Sequence, residues 1–170
     1  GEAYLKHLGE ELPRALSKSA RFTPTCDEKD LAACDAIVLC VPTPLGKHQD
    51  PDLTYVEKSA EMVGRVLRRG QLVSLESTSY PGTTREVCLP RLEKSGLTCG
   101  VDFFVAFSPE REDPGRQGVE TKTIPRLVGG IDAASGEVAR ALYGAAIERV
   151  MLVESAEIAE ASKLLENIYR

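Results

Sequence analysis

Short apolar runs recur along this chain, separated by longer stretches in which apolar residues have helical spacing. The runs are rich in β-branched and aromatic residues and are bounded by polar or glycine-containing loops, as buried strands are. They predict strands over 36–40, 71–77, 102–108, 126–130 and 148–153, with a further short strand over 20–24. Strands of this kind belong in a sheet that is covered on both faces.

The stretches between the runs predict helices, and several of their ends carry recognisable signals. Asp27, Asp132 and Ser155 are typical capping residues, while Gly70 and Gly96 are typical of helix ends. The predicted helices cover 3–17 (with Pro13 as a break or second start), 28–34, 53–69, 83 or 84 to 95, 133–147 and 155–170.

Repeated strand–loop–helix units predict an α/β fold with a mostly parallel sheet and helices on both faces. In such sheets ligands bind at the loops that follow the carboxyl ends of the strands, here the loops after Cys40, Ser77 and Ser108. A complete dinucleotide-binding fold opens with a strand followed by G-x-G-x-x-G, which this chain does not contain. We therefore expect an incomplete fold whose first βαβ unit is missing.

The composition is that of a folded protein without nucleic-acid or membrane partners. Hydrophobic residues make up 42% and charged residues 28% of the chain, and the formal net charge of −5 provides no basic footprint for nucleic acid. No apolar run approaches the roughly 18 residues of a membrane span. The five cysteines form no C-x-x-C pair, which predicts reduced thiols, no metal site and a cytoplasmic location.

Two loops after predicted strands carry hydroxyl groups. The sequence VPTP, residues 41–44, is either a rigid turn or a surface that offers Thr43 to a ribose or phosphate. In STSYPGTT, residues 77–84, the Gly82-Thr83-Thr84 helix start either binds an anion through its N–H groups or is capped by its own hydroxyls.

Charged and amide side chains supply the other candidates. SPEREDPG, residues 108–115, is either a solvated charged turn or a source of a general base such as Glu110. Lys163 and Asn167 lie four apart on the last helix, with Ile158, Ala161, Leu165 and Ile168 on its opposite side. They form either an ordinary exposed helix face or a pair of donors for an oxyanion.

Five segments taken together resemble the UDP-glucose/GDP-mannose dehydrogenase family. They are CVPTPLGKHQDPDLTYV, LESTSYPGTT, FSPEREDPG, TIPRLVGG and SKLLENIYR, in this order. The family has a Rossmann-like NAD-binding domain and oxidises the C6 alcohol of a nucleotide sugar to a carboxylate with two NAD⁺. CVPTP, YPGTT and SPEREDPG are most similar to the UDP-N-acetylglucosamine 6-dehydrogenase branch.

The resemblance implies a role for each candidate residue. Ser79 stands where the family usually has a water-positioning threonine, and Glu110 matches the glutamate that assists thioester hydrolysis. Lys163 matches the lysine that stabilises charge on the sugar oxygen, and Asn167 matches its partner. NAD is expected to contact Val41, Pro42, Thr43, Pro44, Leu45, Thr78, Ser79 and Tyr80.

The resemblance also divides the chain and shows what is absent from it. It implies a partial NAD-binding domain over 1–154 and the start of a central connecting and dimerisation helix over 155–170, so the parent is expected to be a homo-oligomer. The family's trapping cysteine lies downstream in a Gly-rich loop, a context that none of the five cysteines here has. Pro114 replaces a second glutamate of the UDP-glucose branch, which favours an acetamido sugar.

Three functional hypotheses remain open on sequence alone. The chain is a fragment of a nucleotide-sugar 6-dehydrogenase, inactive by itself, or a non-catalytic module of that family that binds a nucleotide or a protein. A related hydroxyacid dehydrogenase half would use a comparable helix lysine but is not expected to contain SPEREDPG.

Overall fold

A five-stranded sheet organises the structure, a computed structural model that describes residues 11–46, 51–110 and 124–168. The strands are β1 (Ala36–Leu39), β2 (Leu72–Leu75), β3 (Phe104–Phe107), β4 (Arg126–Gly130) and β5 (Val150–Val153). They lie in the order β1-β2-β3-β4-β5, and every adjacent pair is parallel except β3 and β4. The prediction of a mostly parallel α/β sheet is confirmed.

Helices connect the strands at the predicted places. They are α1 (Glu11–Lys18), a 3₁₀ helix (Glu28–Ala33), α2 (Thr54–Val66), a π-helical segment (Thr83–Cys88) that continues into α3 (Leu89–Leu92) and a 3₁₀ turn (Glu93–Ser95), α4 (Ala133–Gly144) and α5 (Ala156–Ile168). Asp27 and Asp132 cap as expected, accepting hydrogen bonds from the N–H groups of Lys29 (3.0 Å) and Ser135 (2.8 Å). No helix within the described ranges is long and apolar enough to cross a bilayer.

The strand predicted over 20–24 is wrong. Those residues form a turn and an extended segment that is exposed throughout, with Phe22 50% exposed. A strand needs a neighbour to complete its hydrogen bonds, and Pro24 has no N–H group to contribute. The short apolar pattern of residues 20–24 does not indicate a neighbouring strand with which they could pair.

Two apolar cores lie on opposite faces of the sheet, which confirms that helices cover both faces. Alternate strand residues such as Val73, Val105 and Phe107 pack with α2, α3 and the start of α5 on one face. On the other face, Leu72, Ala106 and Val128 pack against Ala139 and Tyr143 of α4.

A pair of glycines in β4 lets helices approach the sheet from both sides. A Cβ atom on Gly129 would lie 2.1 Å from the Ser155 carbonyl oxygen, and one on Gly130 would lie 2.2 Å from the Gly136 nitrogen. Neighbouring strand residues face opposite sides, so the two glycines admit α5 and α4 respectively. This contact fixes where α5 begins.

The antiparallel direction of β4 brings its first residue to the functional edge of the sheet. Ala106 pairs with Gly130 and Phe107 with Gly129, so β4 begins where β3 ends. Arg126 therefore lies at the edge formed by the carboxyl ends of β1, β2 and β3.

Candidate functional site

The loops after β1, β2 and β3 leave the same edge of the sheet, because those three strands are parallel. A hydrogen bond joins the first two loops: the Val41 N–H donates to Ser77 Oγ over 2.8 Å. Ser77 in turn donates to the Leu39 carbonyl over 3.3 Å. The predicted cluster of loops at this edge is thus present.

The loop of residues 41–46 is closed at its base and exposed along its side chains. The Asp52 N–H donates to the Pro44 carbonyl over 2.8 Å, and Leu45 forms a β-bridge with Pro51. Pro42 and Pro44 are exposed, Thr43 is half-buried, and Leu45 is 72% exposed. The loop is therefore both a rigid turn and an accessible surface.

The loop after β2 contains one buried hydroxyl between two exposed residues. Thr78 and Tyr80 are exposed, whereas Ser79 is only 3% exposed. Among the described residues, none hydrogen-bonds to the Ser79 hydroxyl. A buried hydroxyl without a partner costs about 1–3 kcal/mol, so this position favours a bound water or ligand atom.

The helix start at Gly82–Thr84 binds a carboxylate from the protein itself. Glu160 of α5 accepts hydrogen bonds from the Gly82 N–H (2.6 Å), the Thr84 N–H (2.8 Å) and the Thr84 hydroxyl (2.6 Å). Glu160 is fully buried. Burial raises the pKa of its carboxyl, and the three donors oppose that rise. An external phosphate at Gly82–Thr84 is thereby excluded, because those donors are taken.

Replacing Glu160 with alanine is expected to lower the free energy of unfolding by about 2–3 kcal/mol, since it leaves three buried donors without an acceptor. Urea denaturation followed by circular dichroism measures this change. Glu157→Ala on the same helix is the control: its exposed ion pair with Arg85 makes a loss below about 1 kcal/mol the expected result. Equal losses for the two variants would contradict the structural role of Glu160.

Glu110 and Lys163 meet at the edge of the sheet. The Lys163 ammonium donates to the Glu110 backbone carbonyl over 2.5 Å, and both residues are half-buried. Asn167 lies one turn further along α5, but its side chain is outside the described set. Residues 111–123, which include the last five residues of SPEREDPG, are also outside it. Ser79 follows β2, the immediate neighbour of the strand that Glu110 follows.

The apolar side of α5 is not the side that packs. Ile158, Leu165 and Ile168 are 42%, 56% and 75% exposed, whereas Ala156, Ala159 and Glu160 are fully buried. The small residues face the core because α5 lies too close to β4 for large side chains, as Gly129 shows. Lys163 is half-buried near the sheet edge and is not part of an ordinary exposed face.

A buried polar network behind this edge was not predicted. Arg126 pairs with Glu76 (Nη2 to Oε1, 2.6 Å), which also accepts a hydrogen bond from the Tyr143 hydroxyl over 2.6 Å. The Tyr143 hydroxyl lies 2.8 Å from Ser74 Oγ, and burial raises the Tyr143 pKa. The signal in the sequence is a charged residue at one end of each of two apolar runs: Arg126 begins β4, and Glu76 directly follows β2.

Cys40 is the cysteine that follows β1 at this edge, and it is a poor nucleophile. Its Sγ lies 3.6 Å from Glu76 Oε2. Burial and that carboxylate raise the pKa of Cys40 to about 11, so about one thiol in a thousand is ionised at pH 8. Burial likewise raises the pKa of Cys88 to about 12 and that of Cys99 to about 11.

Known proteins are similar to this chain in both sequence and fold. A UDP-N-acetyl-D-glucosamine 6-dehydrogenase from Pseudomonas aeruginosa is 38% identical over an alignment of 157 residues that covers 91% of this chain and 37% of that protein. Protein CapL from Staphylococcus aureus is 41% identical over 155 residues, 90% of this chain and 37% of that protein. The solved structure of UDP-D-ManNAc dehydrogenase from Pyrococcus horikoshii matches with a TM-score of 0.88 at 36% identity, over 100% of this chain and 40% of that one.

The chain thus spans less than half the length of these relatives. Residues 4–147 match the profile of the UDP-glucose/GDP-mannose dehydrogenase family, NAD binding domain. The resemblance carried by the five sequence segments is confirmed, together with the Rossmann-like fold and the NAD cofactor. This chain belongs to the UDP-glucose/GDP-mannose dehydrogenase family.

Proposed function

We propose that this chain is the latter part of the NAD-binding domain of an NAD-dependent nucleotide-sugar 6-dehydrogenase. Its substrate is a UDP-sugar, with UDP-N-acetylhexosamines the favoured class, and the C6 alcohol is oxidised to the uronic acid. The balanced reaction consumes one water and two NAD⁺ and yields the carboxylate, two NADH and three protons. The observation that carries the proposal is the contact between Lys163 and Glu110 at the carboxyl edge of the sheet.

Lys163 has the position and charge to stabilise an alkoxide. An ammonium has three hydrogens, of which one goes to the Glu110 carbonyl. A cation in a partly dehydrated site stabilises negative charge on the sugar oxygen as hydride leaves C6. Asn167, on the same helix, is the second donor in this proposal.

Glu110 and Ser79 serve the hydrolytic half of the reaction. The aldehyde is trapped by a cysteine thiolate supplied from outside this chain, and the second oxidation leaves a thioester. The Glu110 carboxylate takes a proton from the water that attacks this thioester, and the C–S bond then breaks to release thiolate. The unpartnered hydroxyl of Ser79 orients that water.

The cofactor's contribution is to accept hydride at each oxidation, and the surface at this edge suits it. The exposed side chains of Leu45 and Tyr80 offer apolar area, while Thr43 and Thr78 offer hydroxyls to a ribose or phosphate. The proposed contact residues therefore remain Val41 to Leu45 and Thr78 to Tyr80.

The proposal also covers the oligomeric state, the class of sugar and the cellular location of the parent protein. The exposed Ile158, Leu165 and Ile168 support α5 as the start of a connecting helix that packs against another part of a homo-oligomeric parent. The names of relatives, which include dehydrogenases of UDP-N-acetylglucosamine and UDP-N-acetylmannosamine, support an acetamido sugar. A cytoplasmic enzyme fits five cysteines without a disulfide between described residues.

The test is turnover by the complete protein encoded by the gene that contains this chain. NADH formation is followed with UDP-N-acetylglucosamine, UDP-N-acetylmannosamine and UDP-glucose, and we expect two NADH for each uronic acid, with an acetamido sugar preferred. The chain of 170 residues alone is the matched comparison and is expected to be inactive. Binding of NAD or UDP-sugar by the complete protein without turnover would instead establish a non-catalytic module.

A further inference from the structure

Arg126 is a buried cation whose guanidinium contacts three polar side chains and one aromatic ring. Its Nε donates to Ser108 Oγ over 2.7 Å, and its Nη2 lies 2.6 Å from Glu76 Oε1. Its Nη1 lies 3.4 Å from Glu110 Oε2. The Tyr143 ring centre lies 4.5 Å from the guanidinium carbon, close enough for a cation–π contact.

The sheet places Arg126 and Glu110 opposite each other. Phe107 pairs with Gly129 in the antiparallel ladder of β3 and β4. Continuing that register three residues past the ladder sets 110 against 126. Opposite charges at such positions attract, and the two side chains approach to 3.4 Å.

The two carboxylates that contact Arg126 differ in their exposure to solvent. The Arg126 and Glu76 side chains are 11% and 9% exposed, whereas the Glu110 side chain is 45% exposed. Burial is the largest single influence and disfavours the guanidinium charge, but Glu76, Tyr143 and Glu110 together outweigh it, so the pKa of Arg126 lies above its ordinary value. The Arg126 guanidinium is therefore anchored by Glu76 and Ser108 and contacts the Glu110 carboxylate, which is accessible to solvent.

Lys163 holds the same residue from the other side, through the Glu110 carbonyl at 2.5 Å. The Glu110 backbone is thus fixed by Lys163 and its carboxylate by Arg126. A displacement of about 1 Å at a reacting group can slow a reaction about a hundredfold, so an anchor of this kind changes rate more than binding.

We propose that Arg126 is a positioning residue that aims the Glu110 carboxylate at the attacking water. The inference rests on the function proposed above. It acts in one step: water adds to the thioester carbonyl carbon, one of its protons goes to Glu110, and the C–S bond breaks to give the carboxylic acid and thiolate. The acid then loses its remaining proton to solvent. Arg126 touches neither substrate nor cofactor in this step.

Lysine cannot replace Arg126 in this role, because one ammonium does not span three acceptors in a plane. In the complete enzyme, Arg126→Lys is expected to lower kcat about a hundredfold and to leave kcat/KM for UDP-sugar within about threefold, because KM falls with kcat when the acyl-enzyme accumulates. A rapid NADH burst of full amplitude should precede the slow steady state, and mass spectrometry should detect the accumulated acyl-enzyme. Arg140→Lys, at an exposed ion pair with Glu137, is the matched control and should retain wild-type kinetics.

A double variant distinguishes a positioning role of Arg126 from a purely structural one. If Arg126 acts through Glu110, Arg126→Lys should have little further effect in a Glu110→Gln background. Should Arg126→Lys fail to fold, Ser108→Ala removes one anchor of the guanidinium and is expected to lower kcat several-fold with a full burst.

Three results would overturn the inference while leaving the proposed function intact. They are an unchanged kcat in Arg126→Lys, a burst amplitude that falls in step with kcat, or additive losses in the double variant. Absence of turnover in the wild-type enzyme is a separate outcome, which refutes the proposed function itself.

Discussion

Replacing Lys163 with methionine is expected to lower kcat/KM of the complete enzyme about a thousandfold, or about 4 kcal/mol of transition-state stabilisation. Methionine keeps the length and helix propensity of lysine but removes the charge. The effect is large because the proposal assigns the charge on the alkoxide to Lys163, and Arg126, a described cation at the same edge, is committed to Glu76 and Ser108. The fold should be nearly unaffected, because Lys163 is only half-buried.

Steady-state NADH formation with the preferred UDP-sugar measures the loss, and thermal unfolding checks the fold. Lys94→Met is the control, since Lys94 is 70% exposed and lies 3.7 Å from Glu61 on another part of the domain. Its kcat/KM should stay within about twofold of wild type. If Lys163→Met keeps more than a tenth of the wild-type value, Lys163 does not stabilise the developing charge.

Replacing Gly129 with alanine is expected to lower the free energy of unfolding by at least about 3 kcal/mol. The added Cβ would lie 2.1 Å from the Ser155 carbonyl oxygen and 2.9 Å from the Ala156 Cα. These are backbone atoms, so no side chain can rotate away and α5 itself must move. The same movement would shift Lys163 relative to Glu110. Close packing of α5 on Gly129 therefore also maintains the geometry of the site.

Urea denaturation of the chain measures the predicted loss. Gly144→Ala is the matched control, because a Cβ atom at Gly144 meets nothing within 4 Å and Gly144 ends α4. Alanine favours a helix over glycine, so this variant should be unchanged or more stable by up to about 1 kcal/mol. An alanine at Gly129 that unfolds at the wild-type urea concentration would show that α5 does not pack this closely on β4.

Several site residues were reachable from local sequence. Glu110 and Ser79 follow short apolar runs, and a run of that kind predicts where a strand ends. Lys163 was reached through helical spacing and the family resemblance. The structure joins Lys163 to the Glu110 carbonyl by a hydrogen bond, and the catalytic roles of both residues stay predictions.

Other features needed contacts between distant segments. Glu160 reads as one of several charged residues on α5, and its role depends on a helix start more than 70 residues earlier in the chain. The partners of Arg126 also come from other segments, because Glu76 follows β2 and Ser108 follows β3. Strand direction had the same limitation, since an apolar run is identical in a parallel and an antiparallel pair.

The sequence by itself determined the α/β class, most of the element positions and the family, because caps, turns and periodicity are local properties. Tertiary structure alone decided that β4 runs against β3, that Glu160 fills the helix start as an internal anion, and that Arg126 faces Glu110. The physical reason is that burial and ion pairing depend on which remote groups share a low-dielectric space. A local sequence pattern contains no information about which remote groups are buried together.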